Sequence, residues 1–406
     1  MMRWIRAYDP PLMVLGLLAT AIGLVFIFDA GYARSLQQGY GPIPREFRTQ
    51  LMFLPVAIGL GVVASRVRSD LWKMLSKVLW LFTLLALIGP MVPGLGVERN
   101  GAERWIRLFG IEVQPAEFAK VTAILYLAGA FAGRAAWPDR IKRFKSRAQY
   151  FDSVAVPKIK RCLPALWVLV AVVLIEKEPD LGTAAVMAAT AFAMFIAGGV
   201  HRKTLLVGSV LAVIGVGVLV TQESYRMERI LHHGDRWNVA NMDETAYQTV
   251  QSEMAMASGG VVGVGIGAGR AKHVLPAATT DFVTSTVFEE FGLIGAFSIL
   301  TLLGALVGRL LFLAQRAPTP FGSLVLIGVA VWIGVQSCVN IMMANGFLPA
   351  IGIPLPFVSS GGSSLAALWL ALGVCQAVVA PQLRKEESRA PGRHRWRNRR
   401  TRLSGA

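Results

Sequence analysis

Four polar stretches could do chemistry in an otherwise apolar chain. The first, Leu275-Pro276-Ala277-Ala278-Thr279-Thr280-Asp281-Phe282, ends a long polar interruption and places Asp281 at the mouth of the next apolar run. A carboxylate held there is suited to accept a proton from a hydroxyl, which is the work of a general base. The second is Gln114-Pro115-Ala116-Glu117-Phe118-Ala119-Lys120. Proline fits a first helical turn, where its missing N–H is not needed. Gln114, Glu117 and Lys120 then share one face at three-residue spacing. Lys120 falls six residues into the helix, about 9 Å along it. An ammonium at that depth is expensive and marks either a lined cavity or an ion pair; a Glu117–Lys120 pair is the plain structural alternative.

The third stretch, Glu176-Lys177-Glu178-Pro179-Asp180-Leu181-Gly182-Thr183, carries three acids in a tight turn. Asp180 suits either catalysis or the capping of the following helix, its oxygen accepting from the first free N–H groups. The fourth, from Asn345 to Ser364, is too apolar for a solvated loop and too rich in proline and glycine for a continuous helix. It is expected to fold back between helices. Ser359 and Ser363 with the free amides of a helix start would make an anion seat, the alternative being that Ser363 and Ser364 cap the tenth helix.

The elements that must position these groups are membrane spans. Hydrophobic residues make up 54% of the 406, and apolar runs near the roughly 20 residues that cross a bilayer recur throughout. They predict an all-α, polytopic membrane protein with ten helices, near 11–28, 47–64, 74–93, 115–133, 163–176, 181–199, 204–221, 284–308, 321–345 and 360–380. An even number puts both termini on one side. A clear majority of the 41 lysines and arginines collects in the termini and in loops of one parity, which makes that side cytoplasmic. The basic residues left outside, Arg48 and Arg104 among them, suggest an anionic ligand there; ordinary solvated loop charge is the competing reading.

Residues 222–283 then form a long extracytoplasmic loop between helices 7 and 8. Within it, Ala246 to Ala257 reads as a short amphipathic helix, and Gly259 to Gly269 supplies six glycines. That run lacks the G-x-G-x-x-G order and the strand–helix context of a nucleotide loop. A flexible or re-entrant backbone fits better, tolerable where it borders protein or water. Residues 100–106, Asn-Gly-Ala-Glu-Arg-Trp-Ile, read as an interfacial segment on the outer leaflet. Cys162, Cys338 and Cys375 are far apart and without metal-ligand spacing, and read as packing residues. The basic tail 384–406 reads as a disordered cytoplasmic anchor for topology and lipid headgroups, leaving residues 1–383 as the membrane domain.

Together these stretches resemble the SEDS family (shape, elongation, division and sporulation), which includes FtsW, RodA and SpoVE. The matching blocks are 101–106 with 114–120, Pro179-Asp180-Leu181-Gly182-Thr183, Gln251-Ser252, Leu275-Pro276 with Thr280-Asp281-Phe282, Glu289-Glu290-Phe291-Gly292, and 352–359 with Gly361-Gly362-Ser363-Ser364. They run in family order over nearly the whole chain. Ser360, Glu178 and Glu112 depart from the usual residues. The resemblance implies a ten-helix peptidoglycan glycosyltransferase that polymerises lipid II outside the cytoplasmic membrane. Its expected partners are a single-span class B penicillin-binding transpeptidase and other divisome or elongasome membrane proteins, with no nucleic acid. It also implies that Asp281 is the essential carboxylate and that the Gln114–Lys120 face lines the substrate cavity.

In that reaction a sugar hydroxyl of one lipid II attacks the anomeric carbon of another and expels a lipid pyrophosphate. Cations stabilise the departing charge, and Lys120, Arg104 and Arg48 are the candidates. No organic cofactor is needed; a hard divalent ion such as Mg2+ or Mn2+, held by carboxylates and phosphates, is compatible. A lipid II flippase and a non-catalytic scaffold are the rival classes. Neither needs an essential carboxylate poised outside.

Overall fold

The computed structural model describes residues 8–99, 102–108, 110–133, 156–221, 224–238, 241 and 246–389. Helices dominate, and those expected from the apolar runs are present: α1 (Pro10–Gln37), α2 (Arg45–Arg66), α3 (Ser69–Ile88), α4 (Pro115–Phe131), α5 (Val156–Lys177), α6 (Leu181–Ala197), α7 (Arg202–Thr221), α11 (Val283–Gln315), α12 (Pro320–Ala344) and α13 (Gly362–Arg389). Three shorter helices, α8 (Ser224–Gly234), α9 (Tyr247–Gly259) and α10 (Ala271–Val274), lie in the long polar connection. Among the described residues, six helices are long and apolar enough to cross a bilayer: α1, α2, α3 with its 3-10 extension to Met91, α11, α12 and α13 as far as Pro381. The chain is a multi-pass membrane protein.

Local chemistry explains several starts. Asp9 caps α1 by accepting from Leu12 N at 3.0 Å, and Pro10 and Pro11 occupy the first turn, where no N–H is required. Thr319 and Pro320 open α12 in the same way, with Gly322 N donating to Thr319 Oγ1 at 3.1 Å. The centre of the bundle is α13, whose residues from Leu365 to Val379 are mostly buried. Glycine lets α2 and α13 meet closely: a Cβ on Gly373 would sit 2.2 Å from the Gly61 oxygen. Such close backbone approach is how helices associate where water supplies no drive.

Two regions refine the sequence reading. Residues expected to lie flat on the leaflet form an antiparallel sheet of β1 (Gly96–Arg99), β2 (Ala102–Leu108) and β3 (Ile111–Val113), in that order. Gly96 pairs with Ile106, and Arg107 with Glu112. The sheet is small and sits on the helical body; a single alternating stretch such as Glu103–Arg104–Trp105–Ile106 is too short a signal to reveal its pairing. The eighth expected span is broken. At Gly292 the backbone takes φ 61° and ψ −160°, a conformation open to glycine. The groups this frees are met by the glycine segment after α9: Leu293 N donates to Gly260 O at 3.0 Å, and Val264 N to Glu289 O at 2.9 Å. Residues 260–265 thus form a lace hydrogen-bonded into the helix break, with Val261, Val262 and Ile266 exposed. Finally, α13 runs past residue 383 to Arg389; the rest of the expected tail lies outside the described residues.

Candidate functional site

Asp281 precedes α11 by two positions and is half-buried. Its main chain is fixed from α12: Asn340 Nδ2 donates to Asp281 O at 2.8 Å and to Ile353 O at 2.7 Å, while Thr284 donates to Asn340 Oδ1. The fold-back segment 345–361 closes the other flank. Ser360 N donates to Thr279 O at 2.9 Å, and Ser359 Oγ donates to Thr280 O while accepting from Leu355 N at 2.8 Å. Gly352 lies against the carboxylate, for a Cβ there would sit 3.6 Å from Asp281 Oδ2. The backbone is therefore held on both sides, yet the Asp281 carboxylate makes no hydrogen bond within the described residues. Burial first, then the negative charge of Asp180, push its pKa up to about 6, against the opposing pull of Arg104. A base of that strength is part-loaded near neutrality, where general-base catalysis is most effective.

Asp180 and Arg104 come to the same mouth by different routes. Asp180 caps α6, its Oδ1 accepting from Thr183 N at 3.0 Å, and its Oδ2 accepts from Gln114 Nε2 at 3.0 Å. Arg104 leaves β2 and donates through Nε to Glu178 O at 3.0 Å and through Nη2 to Pro179 O. Gln114 N in turn donates to Ser363 Oγ at 3.0 Å, joining the start of α4 to the start of α13. Ser359 and Ser363 thus use their hydroxyls to bind backbone together. Arg48 is exposed in the first turns of α2; nearby on the same helix, Gln50 Oε1 accepts from Gly361 N at 3.0 Å.

Lys120 is 3% exposed and fully engaged. Its Nζ donates to Glu117 Oε1 at 2.9 Å and to Gln336 Oε1 at 3.1 Å, and stands 5.0 Å from the centre of the Trp332 ring. Gln336 Nε2 carries the link on to Pro354 O at 2.8 Å. The ion pair weighed as the plain alternative is present, and it braces the fold-back segment from beneath. Sequence reasoning passed over Gln336 and Asn340. Their signal was there: two amides four residues apart in an apolar span share a face, and polar groups at that depth need partners.

A second buried cluster ties the long polar connection down. Lys272 on α10 bonds Asp29 of α1 at 3.0 Å and Glu290 of α11 at 2.7 Å, and Ala271 N donates to Glu289 Oε2 at 2.7 Å. Among the described residues, no group of three or more His, Cys, Asp or Glu is placed to hold a metal ion.

Comparison with known proteins agrees with this architecture. Residues 11–383 match the FtsW/RodA/SpoVE family, described as a cell cycle protein. A probable peptidoglycan glycosyltransferase FtsW of Geobacter sp. (strain M18) is 34% identical over 377 residues, 92% of this chain and 97% of that one. Another, from Coxiella burnetii, is 34% identical over 373 residues, 91% and 95% of the two chains. Among solved structures, a chain from work on structural coordination of polymerization and crosslinking by a peptidoglycan synthase complex superposes with a TM-score of 0.71 at 28% identity, covering 93% of this chain and 98% of that one. The rod shape determining protein RodA of Thermus thermophilus gives 0.61 at 28% identity, covering 92% and 96%. With the family matched across the body of the chain and its fold reproduced, this protein belongs to the FtsW/RodA/SpoVE family.

Proposed function

We propose that the chain is a peptidoglycan glycosyltransferase that polymerises lipid II in cell division or elongation. The observation that carries the reading is the Asp281 carboxylate, unbonded at the mouth of α11 and raised to a pKa of about 6. The acceptor hydroxyl gives its proton to Asp281, its oxygen bonds to the anomeric carbon of the donor, and the bond from that carbon to the diphosphate breaks. The disaccharide-peptide is transferred and undecaprenyl pyrophosphate leaves. Arg104 stands close enough to oppose the charge of Asp180 on Asp281, and electrostatic stabilisation of a departing anion needs a cation so placed. Lys120, Glu117 and Gln114 shape the wall beneath. A divalent ion finds no protein ligand set among the described residues, so no step is assigned to one.

The site belongs on the outer face, with both termini cytoplasmic and α4 to α7 also crossing the membrane. The separation of two polar ends supports opposite faces for the site and the termini: Tyr8 with Ser65, and Asp9 with Arg309 and Gln376, are linked at one, and Gln114, Asp180, Asp281 and Ser359 gather at the other. The excess of lysine and arginine on the side of the termini supports the cytoplasm for that side. A single-span class B penicillin-binding protein is the proposed partner, in keeping with the synthase-complex neighbour.

The test is one reconstituted sample, chain plus transpeptidase, assayed with lipid II for both strand synthesis and flipping. Strand synthesis is expected; flipping without synthesis would replace the reading with a transporter, and neither with a scaffold. Orientation is checked with single cysteines at Tyr40 and Asp70, both exposed, after replacing the three native ones. An impermeant maleimide should label Tyr40→Cys on spheroplasts and spare Asp70→Cys; the reverse pattern overturns the topology.

A further inference from the structure

One acid beside the site has no part in the transfer just described. Glu178 is 1% exposed, and both of its carboxyl oxygens are buried without a hydrogen-bond partner. Its main chain is nevertheless in use, because Arg104 donates to the carbonyls of residues 178 and 179. Two residues on, Asp180 caps α6 and receives Gln114. The charged groups that bear on Glu178 are Asp180 from its own turn and Arg104 from β2. Buried Glu176 and exposed Lys177 flank it at the end of α5, and Asp281, across the site, feels the same Asp180 and Arg104.

An ionised carboxylate buried without donors is costly and avoids the cost by keeping its proton. Burial first, and then Asp180, push the Glu178 pKa up to about 9 against the pull of Arg104. In the neutral state Arg104 stays on the carbonyls, and Glu178 adds no charge beside Asp180. Loss of the proton to solvent would set a second negative charge two residues away. That carboxylate would repel Asp180 and draw Arg104 off the carbonyls.

We propose that Glu178 is a positioning residue which, as the neutral acid, holds Arg104 and Asp180 in place and so fixes the charge environment of Asp281. The inference rests on Asp281 as the base, and its test separates the two. Strand synthesis by the wild type, Glu178→Gln and Glu178→Ala, each with the partner, is measured from pH 5 to pH 10. The wild type should show an acid limb near 6 and an alkaline limb near 9. Glu178→Gln, neutral and of the same shape, should keep kcat at pH 7.5 within about twofold and lose the alkaline limb; Glu178→Ala, neutral but leaving a void beneath the carbonyls that Arg104 binds, should lose about tenfold in kcat with little change in KM. An unchanged alkaline limb in Glu178→Gln, or a fall at pH 7.5 as deep as that of Glu178→Ala, overturns the proposal. A missing acid limb would instead count against Asp281 alone.

Melting in detergent gives a readout independent of activity. A carboxyl whose folded pKa is raised contributes stability that is full below the unfolded value of 4.5 and is lost as pH climbs towards 9. The melting temperature of Glu178→Gln should therefore decline less over that window than that of the wild type. Parallel declines overturn the proposal.

Discussion

The Lys120 pocket and the Asp281 mouth are built from the same kinds of residue and end in opposite chemical states. At Lys120 the ammonium has a carboxylate, an amide and an indole face around it, so its charge is met by the protein. At Asp281 the framework satisfies the main chain and stops short of the side chain. Of these two groups, the one buried with partners is structure and the one whose side chain is left without them can take a proton. Function is therefore better sought in the polar group that the network surrounds and leaves unbonded than in the most deeply buried charge.

The sharpest way to break this contrast is Asp281→Asn. It removes the proton acceptor with little change in volume, and strand synthesis should fall by roughly 10²–10⁴-fold while the melting temperature holds; near-normal synthesis would dissolve the distinction. Lys120→Met should do the reverse. It strands Glu117, whose Oε2 already lacks a partner, and should cost about 3–5 kcal/mol of stability. Adding Glu117→Gln should recover much of that loss. If the stable double variant were still unable to use lipid II, Lys120 would belong to the substrate wall as well as to the framework. A smaller effect is the pH response. Because Asp281 acts as its anion, kcat/KM should rise about tenfold per pH unit below 6 and level off above it, and an acid limb near the ordinary carboxylate value of 3.8 would remove the role of burial. The smallest should come from exposed Arg48. Arg48→Ala should change KM by no more than about threefold, and less at high salt, because solvent screens exposed charge.

Much of this was legible in the sequence. Apolar runs located the long helices, since lipid imposes length and composition on each, but several ends extend beyond the apolar run, as in Pro10–Gln37 and Val283–Gln315. Motif order located Asp281, Asp180, Arg104 and the Gln114–Lys120 face. The rest was hidden for identifiable reasons. Pairing of β2 with its neighbours depends on residues beyond a single strand. The break at Gly292 is invisible locally, because glycine is common in membrane helices and only the partner lace at 260–265 makes it a break. Whether Ser359 and Ser363 face a ligand or a backbone amide is decided by elements 79 and 249 residues away, and no local pattern carries that information.

The linkage at the opposite end has a consequence for how the molecule comes into being. Asp9 exchanges backbone bonds with Gln376 and pairs with Arg309, across 367 and 300 residues respectively. At ribosomal rates of about 5–20 residues per second, roughly 20 to 70 seconds separate the birth of the two ends. Through that interval Asp9 caps its own helix but has no tertiary partner until Arg309 is made, and α2 lacks the central helix against which it packs. Assembly therefore closes like a ring, and a nascent chain that stops before Gln376 would leave its earliest helices exposed to membrane quality control.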